Sequence, residues 1–531
     1  MQGDFARKIR GKANAALPAC RERLQSVGMS SAYLQLKSAM RSVSVIESIG
    51  AVLGYDERTV MPSTAAPIRA EQSSFIAELA HQRFTDPRIG EWLGIAETET
   101  PREPADGDEQ ANLREWRRAY DRAVKLPGEF VAELAKTTSL AEHAWAEARK
   151  QSSFAMFQPW LEKIVNLKRR EASYVGSASG NPYDALLDTY EPGETSANVE
   201  RVFASLRPRL VELLGRIVAS PKKAPVELLS RRFPIGRQQE FARDASRAIG
   251  FDLAAGRIDV SVHPFCSGIA PGDTRMTSRY HEQHFNDGFF GVLHETGHAL
   301  YEQGLPKEER FGEPLAEAVS LGIHESQSRM WENLVGRSEP FWRFMFPKAR
   351  TAFPETLRDV ALEPWLFAIN DVRPSLIRVE ADELTYNLHI MLRFELEQAM
   401  IKGEIAPRDV VGEWNARFKS YLGLDVPDDA RGCLQDVHWS AGLIGYFPTY
   451  ALGNLYAAQF FEQARTELGD LDGSFARGEF APLLGWLREK IHVHGRRYRA
   501  GELVQRVTGR PLDAEPLLRH LTRKAGTYYG V

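Results

Sequence analysis

The segment 291–300, GVLHETGHAL, holds His294, Glu295 and His298 in the pattern HExxH. In a helix, side chains four residues apart project about 40° from one another around the axis, so both imidazoles reach toward one point. Two imidazoles at that spacing begin a zinc site, and Glu295 lies where its carboxylate can take a proton from water at the metal. The flanks predict a helix around the motif. Asn286 and Asp287 are capping types at its start, Gly304 and Pro306 are stop signals, and Phe290, Leu293 and Leu300 form an apolar stripe beside the histidines. The competing reading is a pair of core histidines satisfied by backbone or carboxylate partners.

At 531 residues and 43% hydrophobic content, the chain can bury a large core. Lysine and arginine number 67 against 71 acidic residues, a net charge of −4, so no global field favours nucleic acid or an anionic membrane. Cys20, Cys266 and Cys433 are odd in number and lack CxxC spacing, which argues against a disulfide framework or a thiolate zinc site and points to a reducing cytoplasm. No stretch approaches the length of apolar residues that spans a membrane. Residues 1–30 are basic, with Arg7, Lys8, Arg10, Lys12, Arg21 and Arg23 against Asp4 and Glu22, but hold no continuous apolar region. They are expected to form a poorly ordered extension rather than a secretory signal.

Helical periodicity dominates the rest. Apolar residues recur at three and four residue spacing over 31–53, 66–82, 110–124, 128–150 and 160–172, and after the motif over 314–335, 374–401, 406–422 and 450–468. The convincing strand signal is the alternation over 258–263, followed by Pro264 and a glycine-containing turn at 268–272, which predicts a small sheet beside the motif helix. No linker rich in Gly, Ser or Pro divides the chain and no repeat recurs, so 31–531 reads as one large, mainly α-helical catalytic unit.

A catalytic zinc needs a third protein ligand. Tyr301 and Gly304 stand where the extended metzincin motif would place glycine and histidine, which leaves a glutamate on a following helix. Glu313, Glu317 and Glu325 lie on 314–335 or at its start, and spacing does not choose among them.

The run Gly322-Ile-His324-Glu325-Ser326-Gln327 resembles the HES(Q) motif of the carboxypeptidase Taq family of metallocarboxypeptidases, and four further signatures of that family follow its order along the chain. His263-Pro264-Phe265 is similar to its HPF, Asp273-Thr-Arg275-Met-Thr277 to DxRxT, Ile377-Arg378-Val-Glu-Ala381-Asp382 to IRxxAD, and the run Gly432 to Trp439 to GxxQDxHW. The resemblance runs from about residue 31 to the C-terminus, with family-like stretches at 183–193 and 495–512. Tyr55 departs from it, standing where a tryptophan is expected. The resemblance implies a helical metallopeptidase fold with a deep substrate groove, Glu325 as third zinc ligand, a homodimer, and release of single residues from peptide C-termini with broad specificity.

These expectations assign roles. Zinc, with cobalt or manganese as substitutes, would sit on His294, His298 and Glu325, and Glu295 would be the general base. His438, Tyr446 and Tyr450, in and after the GxxQDxHW run, are candidate donors to the oxyanion. An exopeptidase also binds a free carboxylate, for which arginine's planar fork is suited. Arg378, on a helix apolar on most sides, is the leading candidate, and Arg275 the alternative. Both also have a structural reading as ion pairs, Arg378 with Glu380, Asp382 or Glu383 and Arg275 with Asp273; Asp436 is a candidate second carboxylate that orients a ligand or donor. Competing functions are an endopeptidase or dipeptidase on the same zinc core, and a non-catalytic peptide-binding protein, which would have no need of Glu295.

Overall fold

The computed structural model describes residues 30–101 and 104–531, so the extension expected at 1–30 lies, save its last residue, outside the described residues. Ser30 starts the first helix, Ser31–Thr59, its hydroxyl accepting a bond from the Tyr33 amide at 3.1 Å. Helices Ala66–Phe84, Asp108–Lys125, Gly128–Lys150 and Phe154–Val175 follow where periodicity predicts them. Further helices lie outside the periodic segments, among them Pro87–Glu99, Ser196–Ala219, Ile235–Ala248, Glu339–Ala352 and Glu515–Tyr529. In Ser196–Ala219, Pro208 reads as a breaker, yet the buried stripe Val199, Val202, Leu206, Leu210, Leu213 continues through it. The first helices hold a satellite cluster around Tyr33, Leu36, Leu93 and Trp116, while buried residues between Ala141 and Tyr529 share one core.

Three short strands, β1 (Gly256–Val260), β2 (Cys266–Ala270) and β3 (Asp273–Ser278), form a sheet of order β1-β3-β2, with β1 parallel and β2 antiparallel to β3. The expected turn at 268–272 is therefore shorter. Gly268 belongs to β2, and the reversal is made at Gly272, whose φ is 72°.

The motif helix spans Phe285–Gly304. Asn286 and Asp287 fall within its first turn rather than capping it, and Asp287 there complements the helix dipole. The face turned from the histidines is held by aromatics: Phe285 and Phe289 stack at 5.2 Å, Phe289 on Phe241 at 5.1 Å, and Trp365 lies 5.1 Å from Phe285. Burying each such ring contributes about 1.5–3 kcal/mol, which fixes the rotation of the helix.

Two long segments are broken where sequence periodicity ran straight through. The 314–335 stretch is a 3₁₀ turn at Pro314–Ala316, a helix Leu321–Arg329 capped by Ser320, and a π-helical run Met330–Val335. The 374–401 stretch contains a 3₁₀ turn at Arg378–Glu380, and its helix starts only at Thr385. Asp382 accepts bonds from the Leu384 and Thr385 amides at 2.9 and 3.1 Å and so ends the turn. Arg378 consequently sits on a turn and not on a helix. Among the described residues, no helix is long and apolar enough to cross a membrane.

Candidate metal centre and substrate cleft

The motif helix and Leu321–Arg329 cross where Gly297 removes a side chain. A Cβ there would lie 2.5 Å from the Gln327 carbonyl oxygen and 2.6 Å from Ser328 Cα. Gly453 on Pro448–Leu468 does the same from behind, since its Cβ would meet Glu325 Cγ at 2.6 Å. With both approaches open, one ligand atom each from His294, His298 and Glu325 converges so that all lie within 4.8 Å of one another. Glu325 Oε2 is 3.6 Å from His294 Nε2 and 3.4 Å from His298 Nε2. The other candidates for third ligand are occupied elsewhere. Glu313 is buried against Lys37 and Asn112, and Glu317 pairs with Arg496 at 2.7 Å.

Around this cluster lies a shell of oriented groups. His294 Nδ1 meets Glu332 Oε2 at 2.9 Å, and His298 Nδ1 lies 3.1 Å from the His324 carbonyl oxygen. Arg329 donates to Glu325 Oε1 at 2.7 Å, reaches Glu332 at 3.3 Å, and stacks 4.4 Å over Tyr386. Burial opposes charge on Glu332, but Arg329 and then His294 hold its carboxyl down to about 2. Burial pushes His298 down to about 3, leaving the neutral imidazole that a metal requires. Glu295 makes no such pairing. Burial raises its carboxyl to about 7, near the value suited to a group that must both take and return a proton.

Comparison with known proteins gives this geometry a family. The model of the carboxypeptidase Taq (M32) metallopeptidases matches residues 35–525. The chain belongs to that family. Thermostable carboxypeptidase 1 of Thermus thermophilus is 49% identical over 507 residues, covering 94% of this chain and 99% of the relative. Carboxypeptidase 1 of Bacillus subtilis is 36% identical over 490 residues, covering 92% and 97%. The crystal structure of the M32 carboxypeptidase from Deinococcus radiodurans R1 superposes with a TM-score of 0.91 at 41% identity, covering 94% and 100%. The protein is therefore a metallocarboxypeptidase, a peptide hydrolase.

In this carboxypeptidase Taq family member, the signature residues divide into two groups. Arg378, 6% exposed, donates through Nε and Nη2 to Asp436 Oδ1 at 2.9 and 2.8 Å and through Nη1 to the Tyr386 hydroxyl at 2.9 Å. Its partner is thus Asp436 rather than Glu380, Asp382 or Glu383. Arg393 donates to the other oxygen of Asp436 at 2.7 Å, so two guanidiniums share one carboxylate. Tyr386 joins this group to Arg329, which lies over its ring, and through Arg329 to Glu325. Tyr446 and Tyr450 pack at 5.3 Å, Tyr450 lies 5.2 Å from the Arg378 guanidinium, and His438 Nε2 is 3.4 Å from the Tyr450 hydroxyl. Burial lowers His438 to about 4, so it is neutral near pH 7.

Arg275 stands in the second group. Both its forks close on Asp273 at 2.7 Å, and it lies over Tyr55, whose hydroxyl donates to Asp259 Oδ2 at 2.5 Å. The phenol at position 55 thus ties the first long helix to β1 by a bond that an indole could not direct in the same way. Glu302, Arg329, Glu332 and Tyr386 were not singled out in the sequence. For Glu302 and Glu332 a signal existed: the first lies one turn beyond His298, the second two turns beyond Glu325.

Proposed function

We propose that the chain is a zinc-dependent carboxypeptidase that releases single amino acids from peptide C-termini with broad specificity, from a deep groove at the metal centre. The observation that carries this reading is the convergence of His294, His298 and Glu325 within 4.8 Å, next to a buried Glu295. Two imidazoles and one carboxylate fit zinc and also accept cobalt or manganese. A divalent ion held there supplies Lewis acidity that acidifies water and polarises the scissile carbonyl.

The protein's own groups do the rest. Glu295 takes the proton of the attacking water, holds it on a carboxyl that burial has made basic enough, and delivers it to the leaving amine. Tyr446 and Tyr450 donate toward the developing oxyanion, and His438 orients the Tyr450 hydroxyl. Arg378 receives the substrate carboxylate. Asp436 and Tyr386 use three of its five N–H groups, which leaves one on each terminal nitrogen for an incoming carboxylate. Its connection through Tyr386 to Arg329 favours Arg378 over Arg275 for this role. The reading includes a homodimer acting in the cytoplasm on peptides with a free C-terminus, with 31–531 as one catalytic unit.

The test is mass spectrometry of one unblocked peptide and its C-terminally amidated twin, incubated with zinc-loaded protein. A ladder of single-residue losses from the free peptide alone is expected. Internal cleavage of the amidated peptide, or release of dipeptides from the free one, would refute single-residue release that depends on a free C-terminus.

A further inference from the structure

Glu302 follows His298 by one helical turn, as His298 follows His294, so one face of Phe285–Gly304 carries two imidazoles and a carboxylate in line. The third member stands apart from the ligand cluster. Its Oε1 lies 2.8 Å from His324 Nε2, and its Oε2 is paired with Lys307. The other nitrogen of the His324 ring, Nδ1, lies 2.5 Å from Nδ1 of His298. Lys307 in turn donates to the Gly268 carbonyl of β2 at 3.1 Å. Gly268 is needed for this, because a Cβ there would stand 2.0 Å from Glu302 Oε2.

If His298 ligates the metal through Nε2, its single proton is on Nδ1. A bond between two Nδ1 atoms needs one donor and one acceptor, so His324 Nδ1 accepts and its own proton is on Nε2, directed at Glu302. His298 Nδ1 thus meets two acceptors on His324, the ring Nδ1 at 2.5 Å and the carbonyl oxygen at 3.1 Å, and its proton is shared between them. Glu302 then accepts from His324 on one oxygen and from Lys307 on the other. Side-chain exposures of 19%, 15% and 12% for His324, Glu302 and Lys307 keep these charge-assisted bonds largely out of water. His294 reaches the same end by a shorter route, with Nδ1 directly on Glu332.

We propose that His324 and Glu302 are positioning residues: an imidazole–carboxylate relay, anchored by Lys307 to β2, that fixes the tautomer and ring orientation of His298 for the metal. This rests on the reading of His298 as a ligand. The two histidines of the motif are then oriented by different devices, one by a carboxylate and one by a carboxylate acting through an imidazole.

The test measures zinc affinity by chelator competition, the visible spectrum of the cobalt-substituted protein, and the Tm of the metal-free protein, for His324→Leu, Glu302→Gln and the double variant. Each single change should weaken zinc binding about 10- to 100-fold and shift the cobalt bands; the metal-free Tm should be unchanged in His324→Leu and lower in Glu302→Gln, which leaves Lys307 without its partner. Because the two residues act in series, the double variant should bind zinc no worse than His324→Leu alone. Parental affinity and cobalt spectrum in both single variants, additive losses in the double variant, or a loss in His324→Leu that tracks a lowered metal-free Tm would overturn the proposal. Lys307→Met reads the anchored end should His324→Leu fail to fold, and an unchanged zinc affinity and cobalt spectrum there also overturn it. Failure of the underlying reading looks different: His298→Ala would then keep its full zinc content.

Discussion

Gly297→Ala adds one methyl where the motif helix crosses Leu321–Arg329. The new carbon would lie 2.5 Å from the Gln327 oxygen, 2.6 Å from Ser328 Cα and 2.8 Å from the Gln327 carbonyl carbon, all backbone atoms that no rotamer change can move. Ordinary contacts between carbons need about 3.5 Å, so the two helices must part by about 1 Å. Alanine's better helix propensity returns about 1 kcal/mol, against about 1–3 kcal/mol for overpacking, a net stability loss of roughly 0–2 kcal/mol. The functional loss should be much larger. Gly297 adjoins His298 and Gln327 lies close to Glu325 in sequence, so the separation is transferred to the 3.4 Å spacing between His298 Nε2 and Glu325 Oε2. A displacement of about 1 Å at reacting groups costs on the order of 10²-fold in rate. Zinc content, Tm and kcat/KM should therefore show a folded protein with weakened metal binding and about 10²-fold lower kcat/KM. Parental zinc affinity and kcat/KM would refute the reasoning, because the helices would then have yielded without disturbing the ligands.

Glu295→Gln should keep its zinc and lose turnover by about 10² or more, measured by metal analysis beside kcat. Glu325→Ala should lower zinc content while Glu317→Ala leaves it intact, and the reverse pattern would move the third ligand. Arg378→Ala should cost roughly 2–5 kcal/mol in kcat/KM on a free-acid peptide and little on its amide, so the ratio between them collapses; an unchanged ratio with a lower Tm would make the residue structural. Asp436→Asn breaks a buried pairing and should cost about 3–5 kcal/mol of stability near neutrality. Burial opposes its charge, but Arg378 and Arg393 hold the Asp436 carboxyl well below the usual range. That stability is present above the unfolded carboxylate value and is lost as pH falls through the folded one, so the Tm gap between parent and variant should hold steady from pH 8 to about 5 and close only below about 4.

A wet face did not by itself make a helix legible: Ser196–Ala219 and Ile235–Ala248 have one and lie outside the periodic segments, whereas the largely buried Pro448–Leu468 matches the expected 450–468. Gly128–Lys150 matches its periodic segment end to end, with Phe130, Ala141 and Ala148 buried on one side and charged residues such as Glu133, Lys136 and Glu147 on the exposed side. In Thr385–Lys402 nearly every residue is buried, so the pattern offers no polar face from which to read a start. What sets that start is Asp382, spent on capping Leu384 and Thr385, and this also removes it as a partner for Arg378. Glu383 is likewise taken, by His520 and Lys524. Local acidic neighbours were thus the wrong place to look for the arginine's counter-charge, and the true one, Asp436, is 58 residues away.

The same distinction governs the site. HExxH is readable because both imidazoles lie on one helix, where spacing is geometry. Among Glu313, Glu317 and Glu325, helical spacing could not choose, since the segment is not one helix: the extended stretch before Ser320 turns Glu317 toward Arg496 and lets the next helix begin afresh, with Glu325 inward. The π-helical run that follows brings Glu332 against His294 in a widened turn that sequence periodicity does not announce. The proposed metal ligands were therefore marked by residue type and motif, whereas the groups that would aim them depend on where helices break. Glycines carry part of that information. Gly268, Gly297 and Gly453 each stand where a Cβ would strike a member of the site or its supporting helix, and together they set how closely β2, the motif helix and Pro448–Leu468 can approach the ligands.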